Sequence, residues 1–247
     1  MMAILKAEFQ KSKRTSTNKF IIATPLLTIL LTSLWGGGQN GAYNWWYTMF
    51  LPGMLTIISS QIITKEKDIS YKGLFLYPQD KGVLWLGKIT YSGILLVISN
   101  FIFMTGIAVM GACGITTIPG YSFATIPLRA NIFAAIILVL TSLFQIPICL
   151  FLTVKFNMFV TILFNMAMTI IGVVSFGIGS VLKFSPYVTI SKLMCPILHI
   201  LPNGLSVPLN SPLLNGDTII KDTSVSIITF IILTVLTALW FRKREAN

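Results

Sequence analysis

The chain has 247 residues, of which 55% are hydrophobic and 10% are charged, and its formal net charge is +11. A mean hydropathy of +0.83 is far above what a soluble globular domain tolerates, so a water-soluble enzyme or binding domain is excluded. Apolar runs of this length predict helices that cross a membrane, because backbone N–H and C=O groups in hydrocarbon must bond within the protein.

The chain begins with a basic segment, residues 1–19, that precedes the first apolar run. Met2, Leu5 and Phe9 recur at helical spacing, which predicts an amphipathic helix lying in the cytoplasmic membrane interface. A disordered basic tail is the alternative. No A-x-A cleavage site follows the first apolar run, so we expect an uncleaved anchor rather than a signal peptide.

The remaining residues, 20–247, form one predicted transmembrane domain. Its apolar runs are continuous rather than alternating, which favours helices over strands. The expected fold is therefore all-α, a polytopic membrane protein with six transmembrane helices and short turns at 39–43 and 155–157. The six predicted spans are about 20–38, 44–64, 89–113, 131–154, 158–182 and 225–241.

Basic residues set the expected orientation, because they resist crossing the membrane. With both termini in the cytoplasm, the inner segments hold 14 of the 18 Lys and Arg residues, and the outer segments hold Arg129, Lys183, Lys192 and Lys221. We therefore expect a multi-pass protein of the cell (plasma) membrane. The net charge reflects this topology, and nucleic-acid binding is not expected, because no basic face of a folded soluble domain is predicted.

The inner segment between spans two and three, residues 65–88, is charged in an otherwise apolar chain. Glu66 follows span two, Gly73 and Pro78 lie in the middle, and the pair Gly87-Lys88 precedes span three. This order resembles the inner loop of ABC-2 type permeases. The resemblance implies a short coupling helix that docks on a cytosolic ABC ATPase, whereas an ordinary solvated loop is the alternative. The candidate coupling residues are Glu66, Lys67, Asp68, Lys72, Gly73, Pro78, Asp80, Lys81 and Lys88.

A catalytic or nucleotide-binding function is not expected from this chain. The stretch GVLWLGKIT at 82–90 fits G-x-x-x-x-G-K, but Ile89 stands where a Mg²⁺-binding Ser or Thr is required, and the spacer residues are bulky. No acidic or basic residue falls well inside a predicted span, which argues against ion-coupled transport and intramembrane proteolysis. We expect no catalytic residue, no metal site and no cofactor in this chain; ATP and Mg²⁺ would belong to the partner ATPase.

The outer segment, residues 183–224, is the longest stretch outside the predicted spans and contains SKLMCPILHILPNGL at 191–205. Its apolar residues share a helical face, which predicts that it lies on or dips into the outer leaflet. Together with Trp45-Trp46 and FQIPICLFLTVKF at 144–156, it resembles lantibiotic immunity permeases over nearly the whole chain. The residues of this segment that we expect to meet the substrate are Cys195, Pro196, His199, Pro202, Asn203 and Gly204.

The resemblance implies a bacterial permease subunit of an ATP-driven exporter that expels lantibiotic peptides from the membrane. It also implies an ABC ATPase and a second six-span permease as partners, with the peptide and membrane lipid as ligands. Two alternatives stay open. One is an ABC-2 exporter of another amphipathic drug or lipid, and the other is a bacteriocin immunity protein that acts without ATP.

Overall fold

The computed structural model describes residues 1–13, 15–35, 37–67, 80–114, 117–118, 121–122, 125–178 and 185–243. In this part of the chain the fold is all-α, with one small hairpin of strands β1 (Thr117–Ile118) and β2 (Tyr121–Ser122). Six helical segments of the described chain are long and apolar enough to cross a membrane. The expectation of a six-span, all-α membrane protein is confirmed.

The helices follow one another with short connections. In chain order they are α1 (Met2–Ser12), α2 (Thr17–Leu34), α3 (Gly38–Trp45), a π-helical turn (Trp46–Phe50), α4 (Leu51–Lys67), α5 (Lys81–Ala112), α6 (Leu128–Ser142), α7 (Gln145–Lys155), α8 (Met158–Ile178), α9 (Pro186–Leu198), a 3₁₀ turn (Pro212–Leu214) and α10 (Ile219–Arg242). The second span consists of α3, the π-helical turn and α4, and the fourth consists of α6 and α7.

The spans alternate in direction, so the bundle has two distinct ends. Helix α1, the end of α4, the start of α5 and the end of α10 lie together, since Arg242 pairs with Asp80 and α1 packs on α5. We call this the terminal end. The opposite end carries the starts of α3, α6 and α10.

Several helices begin earlier than the sequence predicted. The expected turn at 39–43 is wrong, because α3 already begins at Gly38. The physical reason is Gln39, whose buried amide donates to the Ile107 carbonyl and accepts from the Ile126 N–H, so this polar residue lies inside the bundle. The helix of the sixth span likewise begins at Ile219, before the predicted span edge at 225 and inside the segment 183–224 that was expected to be extracellular.

The N-terminal segment also differs from its prediction. It is not one helix over 1–19, because α1 ends at Ser12 and residues from Thr17 onward belong to α2. Helix α1 buries Ile4, Glu8 and Ser12 against the bundle, while Met2 and Phe9 of the predicted apolar face stay exposed. The face that holds α1 to the protein is therefore the one that carries its acidic residue.

Helix α9 lies inside the protein, so of the two placements expected for 191–205, on the outer leaflet or dipping into it, the first is wrong. It packs against α6, α8 and α10, and Leu193, Met194 and Cys195 are fully buried. At Gly172 in the middle of α8, an added Cβ would lie 2.7 Å from the Tyr187 carbonyl oxygen. Since α8 continues to Ile178, α9 begins part-way down the bundle and rises to the opposite end as a re-entrant helix.

Candidate functional site

The terminal end holds the start of α5 through two charged contacts. Asp80 caps the helix by accepting from the Gly82 N–H at 2.7 Å, and its second carboxylate oxygen lies 3.1 Å from the Nε of Arg242. This capping explains why α5 begins at Lys81, well before the predicted span edge at 89. The helix is 32 residues, about 48 Å, long, so its first turns extend past a hydrocarbon core of about 30 Å.

Helix α1 docks on α5 at the pair Gly87-Lys88. Gly87 permits the close approach, because an added Cβ would lie 2.4 Å from the Cγ2 of Ile4 and must displace it. The Lys88 ammonium is 3.4 Å from the Glu8 carboxylate, and Lys11 is 3.0 Å from the same oxygen. Lys88 is 1% exposed, so this ion pair is buried. Gly87 and Lys88, in the charged segment at 65–88, therefore form the contact on which the N-terminal helix packs.

The electrostatics of Glu8 agree with that arrangement. Burial by itself raises the pKa of the Glu8 carboxyl, but the positive charges of Lys88 and Lys11, and their hydrogen bonds, outweigh burial. The pKa of Glu8 therefore lies below its ordinary value, and the carboxylate stays ionised at neutral pH.

The end of α4 is tied to the same N-terminal segment. The Lys65 ammonium donates to the hydroxyls of Thr15 and Thr17, at 3.0 and 3.3 Å. One turn earlier, Gln61 accepts from Thr17 at 2.7 Å and donates to Ser16 at 3.0 Å. The helix before the charged segment and the helix after it are therefore both bonded to residues 8–17.

The predicted coupling residues fall into three groups. Glu66 and Lys67 lie in the last turn of α4, whereas Asp80 caps α5 and Lys81 and Lys88 lie inside it. A single loop over 65–88 is therefore wrong, because both of its ends are helical. Asp68, Lys72, Gly73 and Pro78 lie outside the described residues.

The predicted outer-segment residues divide between the helix and the turn that follows it. Cys195 and Pro196 lie in α9, and Cys195 is fully buried, so it cannot meet a ligand at the surface. His199 ends the helix with a φ of 58° and is exposed, as is Asn203. Pro202, Asn203 and Gly204 form the tip of a tight turn over 199–207, closed by the Val207 N–H donating to the His199 carbonyl at 2.9 Å.

Two side chains at the start of the second span hold this turn by hydrogen bonds. The Asn44 amide donates to the Pro202 carbonyl at 2.5 Å, and the Tyr47 hydroxyl donates to the Leu201 carbonyl at 3.4 Å. Gly204 has a φ of +83°, and an added Cβ would lie 3.6 Å from Asn44. The Pro-Asn-Gly element is therefore a backbone-held turn fastened to the start of the second span.

A knot of neutral hydrogen bonds joins four segments deep in the bundle. The Asn165 amide nitrogen lies 2.9 Å from the Thr56 hydroxyl, 3.1 Å from the Gln145 carbonyl oxygen and 3.2 Å from the Pro52 carbonyl. Its carbonyl oxygen accepts from the Tyr187 hydroxyl at 2.8 Å. An amide nitrogen carries two hydrogens, so it satisfies two of these three acceptors at a time. The knot connects α4, α7 and α8 to the buried start of α9.

The knot lies where two spans depart from regular α-helix. The π-helical turn ends directly before Leu51-Pro52, and α6 and α7 are separated at Leu143-Phe144, directly before Gln145. Prolines at 52 and 147 remove backbone donors close to these interruptions. Asn165 therefore bonds to two spans beside their helix interruptions.

Sequence reasoning missed Glu8, Asn165, Tyr187 and Asn44. Glu8 had a readable signal, since it is the single acid among the basic residues of 1–19. Asn165 is a strongly polar residue amid an apolar span, which marks it as inward-facing. Its partners lie in distant segments and leave no sequence signal. Among the described residues, no three His, Cys, Asp or Glu side chains converge as metal ligands do.

Comparison with known protein families identifies one match. The sequence model described as ABC-2 family transporter protein matches residues 4–175, from α1 into the fifth span. A search of curated proteins and a search of solved structures each found no match. The matched range includes nearly all of the N-terminal helix, both helices that border the charged segment, and Asn165 with its partners in α4 and α7, but not Tyr187.

Proposed function

The chain belongs to the ABC-2 family of transporter proteins, and from that premise we propose that it is one permease subunit of an ATP-driven exporter of lantibiotic-type antimicrobial peptides. Family membership and the six apolar spans establish a multi-pass membrane component of an ABC transporter, with an ABC ATPase as its implied partner. The lantibiotic cargo is a proposal that rests on the sequence resemblance of 144–156 and 191–205.

The observation that supports force transmission is the double attachment of the N-terminal segment. Lys65 at the end of α4 and Lys88 in α5 border the charged segment, and both bond to residues 8–17. A displacement of the segment between them would therefore reach α1, α4 and α5 together. We propose that an ATPase docks on this segment, with Glu66 through Lys81 as the contact surface and both chain termini in the cytoplasm.

A second six-span permease completes the proposed exporter, and each permease would use its own charged segment to contact an ATPase. ATP binding would close the ATPases, move these segments and rock the permeases, so that a peptide in the outer leaflet is released outward. Two exposed residues of the outer turn, His199 at its base and Asn203 at its tip, are available to the peptide. Cys195 and Pro196 instead support α9 from within the bundle.

The test is to tag the chain in its own host, solubilise it gently and identify the proteins that co-purify. We expect an ABC ATPase and a second permease, and we expect Glu66→Lys to lose the ATPase and peptide protection while staying in the membrane. The matched control is Asp217→Lys, which reverses one exposed acidic residue at the opposite end and should retain the ATPase.

Three results would contradict the proposal. If Glu66→Lys retains the ATPase and full protection, the charged segment is not the docking surface. If the chain purifies alone while cells still need it for peptide tolerance, the ATP-independent immunity function replaces export. Loss of ATPase with unchanged peptide tolerance would point to another amphipathic drug or lipid as cargo.

A further inference from the structure

Three aromatic rings form a continuous row at the opposite end of the bundle. The ring centroids of Trp35 and Trp45 are 5.2 Å apart, and those of Trp45 and Phe50 are 6.1 Å apart with an interplanar angle of 21°. Trp35 is 67% exposed, and Met49, the residue before Phe50 in the chain, is 51% exposed. We call Trp35, Trp45 and Phe50 the aromatic ladder.

The π-helical turn builds this ladder. Residues five apart in a regular α-helix point in different directions, because each turn takes 3.6 residues. Here the Leu51 N–H donates to the Trp46 carbonyl five residues earlier, and this wider turn brings Trp45 and Phe50 over one another. π-Helical turns are rare and occur frequently at functional sites. Anchoring at the headgroup level needs only a ring at the right depth, so it does not account for the widened turn.

The ladder adjoins the turn of the outer segment. Asn44, the residue before Trp45, holds the Pro202 carbonyl and contacts the backbone position of Gly204. The chain that follows exposes apolar side chains, with Leu205 57% and Leu209 89% exposed. Aromatic faces and exposed leucines therefore lie on neighbouring elements at one end of the bundle.

Carboxylates are scarce at this end, where Asp217 is exposed and Asp222 is paired, so aromatic rings supply most of the groups that attract a cation. Asp217 and Asp222 are the only acidic residues between Lys81 and Arg244. Asp222 is paired with Lys192 at 2.6 Å. An ammonium group is attracted to the face of a Trp ring within about 6 Å of its centroid. Trp35 and Trp45 provide such rings beside an apolar surface.

We propose that the aromatic ladder is the surface that receives a cationic amphipathic peptide from the outer leaflet, with the Trp rings contacting its ammonium groups and Met49 and Leu205 contacting its apolar residues. The peptide class rests on the proposed function, while the position of the surface rests on the ring geometry. The ladder lies on the first two spans rather than on the outer segment, where the sequence placed the substrate contacts.

The test measures peptide binding to the purified full chain in nanodiscs of zwitterionic lipid. The probe is a fluorescein-labelled synthetic amphipathic helix of leucine and lysine, and its partner probe has glutamine in place of lysine. The variants are Trp35→Leu, Trp45→Leu, their combination and Trp45→Phe, which keeps an aromatic face. The control is Phe101→Leu, since Phe101 is a 60% exposed aromatic residue of α5 outside the ladder.

We expect the double Leu variant to lose about tenfold in affinity for the lysine probe, at a few-fold for each ring. Trp45→Phe should lose less affinity than Trp45→Leu, because a phenyl face attracts an ammonium group less strongly than an indole but still does so. Phe101→Leu should bind as the wild type does, and the glutamine probe should bind weakly to the wild type and to every variant. Unchanged binding by the double variant, equal binding of the two probes, or an equal loss in Phe101→Leu would overturn the proposal. So would a change in subunit number without a change in affinity, because the ladder would then be an interface between permeases.

The measurement contains no ATPase, so its failure is distinguishable from failure of the proposed export. A chain that purifies from its host without an ATPase, yet binds the lysine probe through the ladder, would refute export and retain the binding surface. A chain that recruits an ATPase but shows no ladder-dependent binding would refute the binding surface and retain the proposed export.

Discussion

Two polar clusters join several helices in this protein, and they use different chemistry. At the terminal end, Glu8 and Lys88 form a buried ion pair that holds α1 on α5. Deep in the bundle, Asn165 joins α4, α7, α8 and α9 through neutral hydrogen bonds alone. Desolvating an ion costs several kcal/mol, whereas an amide loses far less. The ion pair therefore depends more strongly on its partner than the neutral knot does.

The same comparison separates two functional roles. The charged cluster connects the segment expected to meet the ATPase with the N-terminal helix, and breaking it takes the Glu8 carboxylate away from the buried Lys88 ammonium. The neutral knot has three acceptors for two amide hydrogens, so its hydrogen bonds can exchange without leaving the amide unpaired. The first is suited to rigid attachment, and the second permits small rearrangements between spans.

The largest expected effect comes from breaking the charged cluster. Glu8→Gln removes the carboxylate and leaves Lys88 charged and buried, which costs about 3 kcal/mol in comparable buried pairs. We expect the backbone amides of residues 2–12 to exchange hydrogen much faster while the spans keep their protection. Lys6→Gln, on the exposed face of α1, is the control and should leave exchange unchanged. Equal exchange in wild type and Glu8→Gln would show that the pair does not hold α1.

The pH dependence of the charged cluster should follow the pKa of Glu8. Because this pKa lies below the ordinary value of a glutamate, the pair stabilises the folded state fully at pH values above that ordinary value. The contribution is lost only as pH falls through the lowered pKa. Once corrected for intrinsic rates, hydrogen exchange of residues 2–12 should reflect unchanged docking as pH falls from neutral toward the ordinary range of a glutamate, and weaker docking only when pH falls through the lowered pKa of Glu8. Glu8→Gln should abolish this transition; its persistence would assign it to another group.

Packing around the neutral knot can be tested at Gly172, whose missing side chain lets the start of α9 pack closely against α8. Gly172→Ala places a Cβ against the Tyr187 backbone, and overpacking of this kind costs about 1–3 kcal/mol. Gly53→Ala is a matched helical control, since its Cβ would meet only Met166 at 3.8 Å. We expect a lower thermal unfolding midpoint in detergent for Gly172→Ala and an unchanged or higher one for Gly53→Ala. Equal midpoints would contradict the re-entrant packing of α9.

The knot itself should contribute less than the ion pair. Asn165→Leu removes its hydrogen bonds, and interhelical polar contacts in membranes average about 0.6 kcal/mol each. We expect a total loss of about 1–2 kcal/mol in the free energy of unfolding, measured by denaturant titration in micelles. Thr105→Leu is the control, because its lipid-exposed hydroxyl bonds only within its own helix. A loss for Asn165→Leu that exceeds that for Glu8→Gln would reverse the comparison.

The smallest effect is expected at the turn held by Asn44. Gly204→Ala forces a side chain into a left-handed conformation at a cost of about 1 kcal/mol. Asn tolerates this conformation better, so Gly204→Asn should cost less. The measurement is hydrogen exchange at Val207, whose N–H closes the turn. If Val207 exchanged at the wild-type rate in both variants, the backbone conformation of Gly204 would not hold the turn.

The six spans were predictable because each is a contiguous property of the chain. Twenty or so apolar residues need no partner segment to identify them as membrane-crossing. The likeness of the charged segment to ABC-2 permeases was also local, and the family match supports it. Span edges were less accurate, because a polar residue such as Gln39 reads as a loop until its buried partners are known.

The outer segment shows why the rest was not predictable. The apolar face of 191–198 is the same whether the helix lies on lipid or inside a bundle. Gly172, in another span, decides between the two by allowing α9 to approach α8. Glu8 and Lys88 are similarly ordinary charges in the sequence, 80 residues apart, and only packing makes them a pair.

The sequence by itself determined that this protein lies in a membrane, how many spans it has and to which family it belongs. Hydrophobicity and local motifs are properties of contiguous residues along the chain. Tertiary structure alone decided which polar groups meet, that α9 is re-entrant, and that a π-helical turn aligns Trp45 with Phe50. The physical reason is that a buried polar group or a close backbone approach depends on a distant partner, and its free energy belongs to the pair.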